Sequence, residues 1–221
     1  AGQPCDYDAL RDVATRHGLF LVADACHSLG GKYRGRNSGA LADLTVFSFH
    51  PVKHVATGEG GMILTDNPEL ADRLRLFRNH GITTDHRQRV ESGGWFYEMT
   101  ELGYNYRITD IQCALGVSQM RKLPAFLERR RAIAAEYDAA FGAGGAIRPL
   151  PLREGALHAY HIYVVRVDGR DRVFAELRSK GIMANVHYIP VHLHPYYRQH
   201  LGTGPGLCPH AEAAYAELLT V

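Results

Sequence analysis

The sequence predicts an α/β chain in two parts, a larger one with ligand-carrying strand ends and a smaller α+β one. Leu19-Phe20-Leu21-Val22-Ala23 is a continuous apolar run, the pattern of a strand buried on both faces, and it ends in a carboxylate at Asp24. Thr45-Val46-Phe47-Ser48-Phe49 is β-branched and aromatic and ends at His50-Pro51-Val52-Lys53-His54. Beyond the glycine-rich stretch Gly142–Gly145, short strand and helix patterns alternate. Two strands of the larger part thus bring a carboxylate and an amine to the edge where ligands of open α/β sheets bind.

Taken in order, Asp6 is placed to cap a helix running to His17, with Leu10, Val13 and Ala14 on its buried face and Gly18 as its stop. Helix and then strand make half of a βαβ unit. After the Lys53 turn, Gly58-Glu59-Gly60-Gly61 precedes a third strand, Met62–Thr65. Because a strand follows those glycines, they supply no helix N-terminus for a phosphate, and a tight turn is their expected role. Asp66-Asn67-Pro68 opens a helix with Leu70, Leu74 and Phe77 as its packed stripe. Residues 82–103 show no period, and a loop of that length inside a domain is functional or mobile. Its Trp95-Phe96-Tyr97 triplet suits a ring of a bound ligand, or a neighbouring subunit.

Thr109-x-x-Gln112 is a capping box that starts a helix to about Lys122. Pro124 should interrupt it, leaving a second helical stretch from Ala125 to Phe141. The expected division is residues 1–124 as part of the larger domain, 125–144 as a linking helix and 145–221 as part of the smaller domain. In that last part His161–Val167 reads as a strand, Arg172–Lys180 as a helix and Ile182–Tyr188 as a strand. A loop and a final helix near 210–219 follow.

Composition narrows the function. With 46% hydrophobic and 22% charged residues and a formal net charge of +2, the 221 residues suit a globular chain rather than a dedicated nucleic-acid binder. Cys5, Cys26, Cys113 and Cys208 are scattered without a C-x-x-C pair, which fits free thiols in a reducing cytoplasm. No apolar run reaches membrane-spanning length. The chain opens on Ala1, without a strand before its first helix, and closes as a helical segment gives out, so it reads as an internal piece of a longer protein.

Only four lysines occur, and they can be compared directly. Lys32 sits in a Gly/Arg loop, Lys122 on a polar helical face and Lys180 before Gly181, where a cation suits a helix end. Lys53 alone lies between apolar strands, flanked by His50 and His54. An amine there loses solvation of its charged form, which favours nucleophilic work at neutral pH. A loop lysine on the surface is the competing reading.

Asp24-x-x-His27, Ser48-Phe-His-Pro-Val-Lys53, Gly58-Glu-Gly-Gly61, Gly103-Tyr-Asn-Tyr-Arg107 and Val186-His-Tyr-Ile-Pro190 together resemble the DegT/DnrJ/EryC1/StrS sugar aminotransferases along nearly the whole chain. The likeness is strongest to the branch that aminates the C4 ketone of a UDP-linked 4-keto-6-deoxy-N-acetylhexosamine in pseudaminic acid synthesis. It implies a fold-type I enzyme, with a mostly parallel sheet in the large domain, using pyridoxal 5′-phosphate (PLP). Glutamate is the expected amino donor, and surface polysaccharide synthesis the setting.

By that resemblance Lys53 binds the cofactor aldehyde and shuttles the proton, Asp24 pairs with the pyridine nitrogen, and His27 bonds the ring hydroxyl. Ser48 binds the phosphate, and Asn105 reaches the phosphate of the other subunit, which implies a homodimer with shared active sites. Arg107 is a natural fork for the nucleotide diphosphate or the donor carboxylate, or an interface ion pair. His187 and Tyr188 would contact the sugar. The family's phosphate-cupping helix and ring-stacking aromatic lie upstream of this sequence, so the piece alone should be inactive.

Three alternatives stand beside this reading. Related dehydratases carry histidine in place of the lysine. A metal module would use His187, His192, His194, His200 and His210, though their spacing lacks a helical i,i+4 pair. A non-catalytic relative would have no need of both Asp24 and Lys53.

Overall fold

The computed structural model describes residues 1–84, 86–142 and 145–221, which divide into two compact bodies. One holds Gly2–Leu127 with Gly155–Ala159, and the other holds Ala1, Glu128–Glu154 and Tyr160–Val221. Of the glycine-rich stretch expected to mark a boundary, Ala143 and Gly144 lie outside the described residues.

The first body opens with α1 (Tyr7–Arg16), capped by Asp6, whose carboxylate accepts from the Ala9 N–H. Tyr7 and Ala14, seven residues apart, form its buried stripe, while Leu10 and Val13 are exposed, contrary to the sequence reading. The cause is Tyr7, which packs with Ala23, Tyr33 and Leu41 and rotates the apolar face toward itself. Arg11, on the same side, pairs with Asp43 at 2.8 Å.

Strand β1 (Val22–Asp24) is followed by the two-residue strands β2 (Lys32–Tyr33) and β3 (Arg36–Asn37), then by β4 (Leu44–Ser48) and β5 (Gly61–Leu64). The sheet order is β1-β4-β5, with β1 parallel and β5 antiparallel to β4. The run expected to be buried on both faces is buried on one: Ala23 turns into the core, while Phe20 is 73% and Val22 57% exposed. Phe47, Phe49, Val55 and Ala25 join Leu123, Leu127 and Ala159 in the main core of this body. Burying each Leu or Phe there contributes about 1.5–3 kcal/mol.

Helix α2 (Pro68–Phe77) is capped by Asn67, whose side chain accepts from Glu69 and Leu70 N–H. Leu70 and Leu74 are half-buried and Phe77 is exposed. The stretch without a period is not plain loop: it contains α3 (His86–Ser92) and a bridge between Ile82 and Met99. α3 was not legible because seven residues with one apolar member, Val90, carry no amphipathic signal.

Helix α4 runs unbroken from Asp110 to Phe141 with Pro124 inside it, against the expected break. Leu123 and Leu127 flank the proline and are both buried in the core cluster, so packing holds the helix through the missing hydrogen bond.

In the second body β6 (Ile147–Pro149) lies beside the later β8, whereas β7 (Ala156–Leu157) belongs to the first body, antiparallel to β2. β8 (Val164–Val167) is central, α5 (Arg170–Ser179) follows it, and α6 (Pro195–Leu201) and α7 (Pro209–Glu217) precede β9 (Leu218–Thr220). The order is β6-β8-β9, antiparallel throughout. Two expectations fail together here: Leu218–Thr220 is a strand rather than a helix end, and 182–188 is not a strand. β9 occupies the place beside β8, leaving the 182–188 stretch a single bridge from Asn185 to Thr220. Its Ala184 and Val186 still pack on Val165, Val167 and Leu219.

Candidate functional site

The pairing of β1 with β4 sets Asp24 beside Val46. Paired side chains share a sheet face, and along β4 that face returns every second residue, so Asp24, Val46 and Ser48 leave the sheet on one side. One more ladder bond, Ala25 N–H to the Val46 carbonyl at 2.9 Å, ends the strand before the chain turns.

Asp24 is exposed but held. Its Oδ1 accepts from the Cys26 backbone N–H at 3.1 Å. The Cys26 thiol, then that N–H, hold the carboxyl below its ordinary range; burial opposes them, and the charges of His27 and Lys53 add to the lowering. Burial first, and Asp24 second, push the Cys26 thiol up to about 11, so it remains an S–H donor at neutral pH. Its sulfur also lies 3.9 Å from the Val46 carbonyl, a second acceptor for the thiol proton. Lys53 acts against the rise at Cys26 as well as on Asp24, so its ammonium charge is felt at both groups.

Lys53 is half-buried on a closed turn. Its N–H donates to the His50 carbonyl at 2.9 Å, Thr57 N–H to the Phe49 carbonyl at 2.9 Å, and Phe49 N–H to the Gly60 carbonyl at 2.8 Å. Buried His54 fixes the far side through a 2.9 Å contact between Nε2 and the Ala159 carbonyl. Gly60, at φ 154°, is required: a Cβ there would lie 2.5 Å from Thr57 Oγ1. Ser48 Oγ accepts from His50 N–H at 3.3 Å, which leaves its hydroxyl proton to donate.

Asn105 and Arg107 sit where the 103–107 strand-like stretch crosses the end of α2. Asn105 bridges Asn79, and Tyr106 N–H donates to the Arg78 carbonyl at 3.0 Å. The crossing needs two glycines: a Cβ on Gly103 would meet Gly81 N at 2.1 Å, and Gly81 has φ 68°. Tyr104 and Tyr106 stack at 5.1 Å, and Arg107 Nη1 donates to Asn79 Oδ1 at 2.8 Å.

Sequence reading missed the piece that ties α4 to the lysine turn. Gln112 Oε1 accepts from Thr109 N–H at 3.0 Å while Gln112 N–H donates to Thr109 Oγ1 at 3.3 Å, as a capping box requires, and the Thr109 hydroxyl also donates to Oε1 at 2.9 Å. Its Nε2 donates to the Glu59 carbonyl at 2.8 Å, an oxygen that also accepts from Thr57 Oγ1 at 2.7 Å. The box was legible and the reach of its amide was not. Cys26 was also passed over as one of four scattered thiols, although D-x-C places a donor two residues beyond a carboxylate.

His187 and Tyr188 belong to the second body. His187 Nδ1 lies 2.8 Å from Thr220 Oγ1, its ring meets Tyr188 edge-on at 4.6 Å, and Tyr188 is exposed. Of the other histidines weighed as metal ligands, His192 Nε2 is 2.9 Å from Glu212 Oε1. Among the described residues no group of three or more His, Cys, Asp or Glu is arranged to hold a metal ion, and no helix is long and apolar enough to cross a membrane.

Known proteins are similar to this chain in sequence and in fold. The chain is 40% identical to the spore coat polysaccharide biosynthesis protein SpsC of Bacillus subtilis, over all of this chain and 59% of that protein. It is 35% identical to the UDP-4-amino-4,6-dideoxy-N-acetyl-beta-L-altrosamine transaminase of Campylobacter jejuni, over 91% of this chain and 53% of that one. Spr1654 from Streptococcus pneumoniae, solved in its PMP form, superposes with a TM-score of 0.90 at 33% identity, covering 99% of this chain and 61% of Spr1654; its PLP form gives 0.89. The chain therefore spans somewhat over half the length of these relatives. With the model of the DegT/DnrJ/EryC1/StrS aminotransferase family matching residues 1–221, on a fold-type I α/β architecture with its carboxylate and amine at adjoining strand ends, the chain belongs to that family.

Proposed function

We propose that this chain forms the lysine-bearing part of a PLP-dependent aminotransferase acting on a nucleotide-linked 4-keto-6-deoxy sugar, with glutamate as amino donor. The observation that carries the reading is the placement of two strand ends: the register of β1 on β4 sets the Asp24 carboxylate, held ionised by Cys26, beside Val46, and the closed turn that bears Lys53 follows β4. The residues fit the cofactor. A fixed anion suits a protonated ring nitrogen, a hydroxyl with an unused proton suits a phosphate, and a half-buried amine suits an aldehyde.

When bound, PLP supplies that aldehyde and an electron sink for the substrate's Cα. Asp24 holds the proton on the ring nitrogen, and the two Cys26 donors keep its carboxylate charged and oriented. Ser48 donates its hydroxyl to the phosphate, and His27 bonds the ring hydroxyl. Lys53 Nζ binds the cofactor and then carries the proton between the reacting carbons, while the turn around it holds its backbone in place. Asn105 is read as serving the phosphate of a second subunit in a homodimer, Arg107 as gripping an anionic group of the substrate, and His187 and Tyr188 as contacting the sugar. Support for the sugar class comes from the Campylobacter jejuni transaminase, which acts on a UDP-linked 4-amino-4,6-dideoxy sugar by its name.

Lys53→Ala in the intact protein is the test. Borohydride reduction should attach PLP to Lys53 in the wild type, read by peptide mass, and to no residue in the variant. Amination of UDP-4-keto-6-deoxy-N-acetylhexosamine should fall by roughly 10²–10⁴-fold from lost proton transfer alone. An adduct on another lysine, or a variant that still aminates at the wild-type rate, refutes the assignment.

A further inference from the structure

Between Val186, which packs on the β6-β8-β9 sheet, and Pro209, where α7 begins, the second body carries a stretch outside the sheet. It consists of a 3₁₀ turn (Val191–Leu193), α6 and the glycine-rich run 202–206. Within it, Leu193 N–H donates to the Pro190 carbonyl at 2.9 Å and the Thr203 hydroxyl to the His192 carbonyl at 2.8 Å. Glu212, in the first turn of α7, ties this stretch down. Its Oε1 accepts from Gly206 N–H at 2.8 Å and from Cys208 N–H at 3.3 Å, and lies 2.9 Å from His192 Nε2; its Oε2 accepts from Gly206 N–H at 3.0 Å. Among the described residues, every hydrogen bond from 189–207 to α7 ends on this one carboxylate.

The Gly206 N–H, then His192, hold the Glu212 carboxyl below its ordinary range; burial opposes them, and the Cys208 N–H adds to the lowering. An ionised carboxylate has no proton to give, so the proton shared with the imidazole sits on His192 Nε2. The His192 side chain is 10% exposed and that of Glu212 24%, so water and salt weaken this contact less than they weaken a surface pair.

The place of this anchor along the chain gives it a use. Five residues before His192, His187 Nδ1 lies 2.8 Å from Thr220 Oγ1 on β9. Asn185 exchanges both backbone hydrogen bonds with Thr220, at 3.0 and 2.8 Å. The chain is thus pinned to β9 at 185–187 and to α7 at 192, and only Tyr188–Val191 spans the interval. Pro190, at φ −55°, stiffens that span. Tyr188, Ile189 and Val191 are all exposed along it. So short a span between two fixed points has few conformations to visit, and an exposed ring on it keeps its place without being packed into a core. We propose that Glu212 is a positioning residue for the sugar half of the reaction: through His192 and the Gly206 turn it fixes the strap that presents Tyr188. The anchoring rests on these pairings, whereas its consequence rests on the aminotransferase reading above, in which His187 and Tyr188 contact the sugar.

Glu212→Ala in the intact protein removes every acceptor of the anchor. Deuterium exchange at the Gly206 and Cys208 amides should quicken by about tenfold or more. The sugar half-reaction, UDP-4-keto-6-deoxy-N-acetylhexosamine with the protein already in its PMP form, should lose about tenfold in kcat/KM, while conversion of bound PLP to PMP by glutamate stays within about twofold of wild type. Glu212→Gln, whose remaining oxygen can take the place of Oε1, should recover most of the loss. His192→Ala should share the defect, and the double variant should be no worse than Glu212→Ala, because both act through one contact. If Glu212→Ala does not fold, His192→Ala alone serves. Equal losses in both half-reactions together with a lowered thermal midpoint would show a merely structural role and overturn the proposal, as would unchanged sugar kinetics in a variant whose amides exchange faster. Absence of the borohydride adduct on Lys53 in wild type removes the aminotransferase reading, and this role of Glu212 with it, while faster exchange would still mark the carboxylate as the anchor of the strap.

Discussion

At Asp24 and Cys26 one carboxylate and one partly buried thiol shift each other's protonation. Asp24 titrates below its unfolded value, so its contribution to stability is present above about pH 4 and is lost as acid carries it through its folded pKa. Cys26 titrates above its unfolded value. The folded chain therefore keeps a proton that the unfolded chain releases, and stability should fall as pH rises from about 8.5 toward the folded value of about 11. Cys26→Ala removes one of the two donors: the thiol is gone, and only the backbone N–H remains on Asp24. Urea midpoints of the intact protein at pH 7, 9 and 10.5 should decline less steeply in Cys26→Ala than in wild type. The Asp24 carboxyl should titrate higher in the variant, read by carbon-detected NMR. An identical alkaline decline in both proteins would show that the thiol bears none of it.

At the scale of elements, what could be read from the sequence was what neighbours in sequence decide. Asp6, Asn67 and the Thr109–Gln112 box act within four residues, and all three helix starts occur where their side chains indicate. Lys53 stood out because each of the other three lysines had a local explanation. What could not be read depends on distant partners. β7 is two residues long and exists because 156–157 meets β2 at 32–33 across more than a hundred positions. Residues 182–188 alternate like a strand but lose the place beside β8 to β9. Pro124 is the sharpest case, because a local rule was overruled by two buried leucines, one on either side of it. Leu127 also closes tightly over Gly30, where a Cβ would lie 2.2 Å from Leu127 Cδ1. Leu127→Ala should therefore cost about 2–5 kcal/mol. Pro124→Ala, which restores an N–H in an intact helix, should be stabilising by about 1–3 kcal/mol. Denaturant midpoints report both, and a destabilised Pro124→Ala would mean that the proline ring packs into the core.

For the molecule as a whole, apolar side chains are left bare on both outer strands of the β1-β4-β5 sheet and in the stretch before residue 103. Phe20 precedes β1 and Val22 opens it, Met62, Ile63 and Leu64 of β5 are all exposed, and Trp95 is 83% exposed. A net charge of only +2 gives little repulsion between copies. Exposed apolar side chains on outer strands invite association. Purified as residues 1–221 alone, the chain should associate and bind a hydrophobic dye such as ANS, whereas the intact protein should bind far less. Light scattering and dye fluorescence check this together. A monodisperse, dye-silent 1–221 would mean that these side chains find cover within the chain itself.

The amide of Gln112 has a consequence for how the sequence can drift. Its oxygen begins a helix and its nitrogen secures the backbone that carries the reactive amine, so two otherwise unrelated requirements meet in a partly accessible side chain. Glutamate would satisfy the first and fail the second, and serine would fail both. A position that solvent exposure alone would mark as free to vary is therefore constrained from two directions, and surface accessibility is a poor guide to tolerance there.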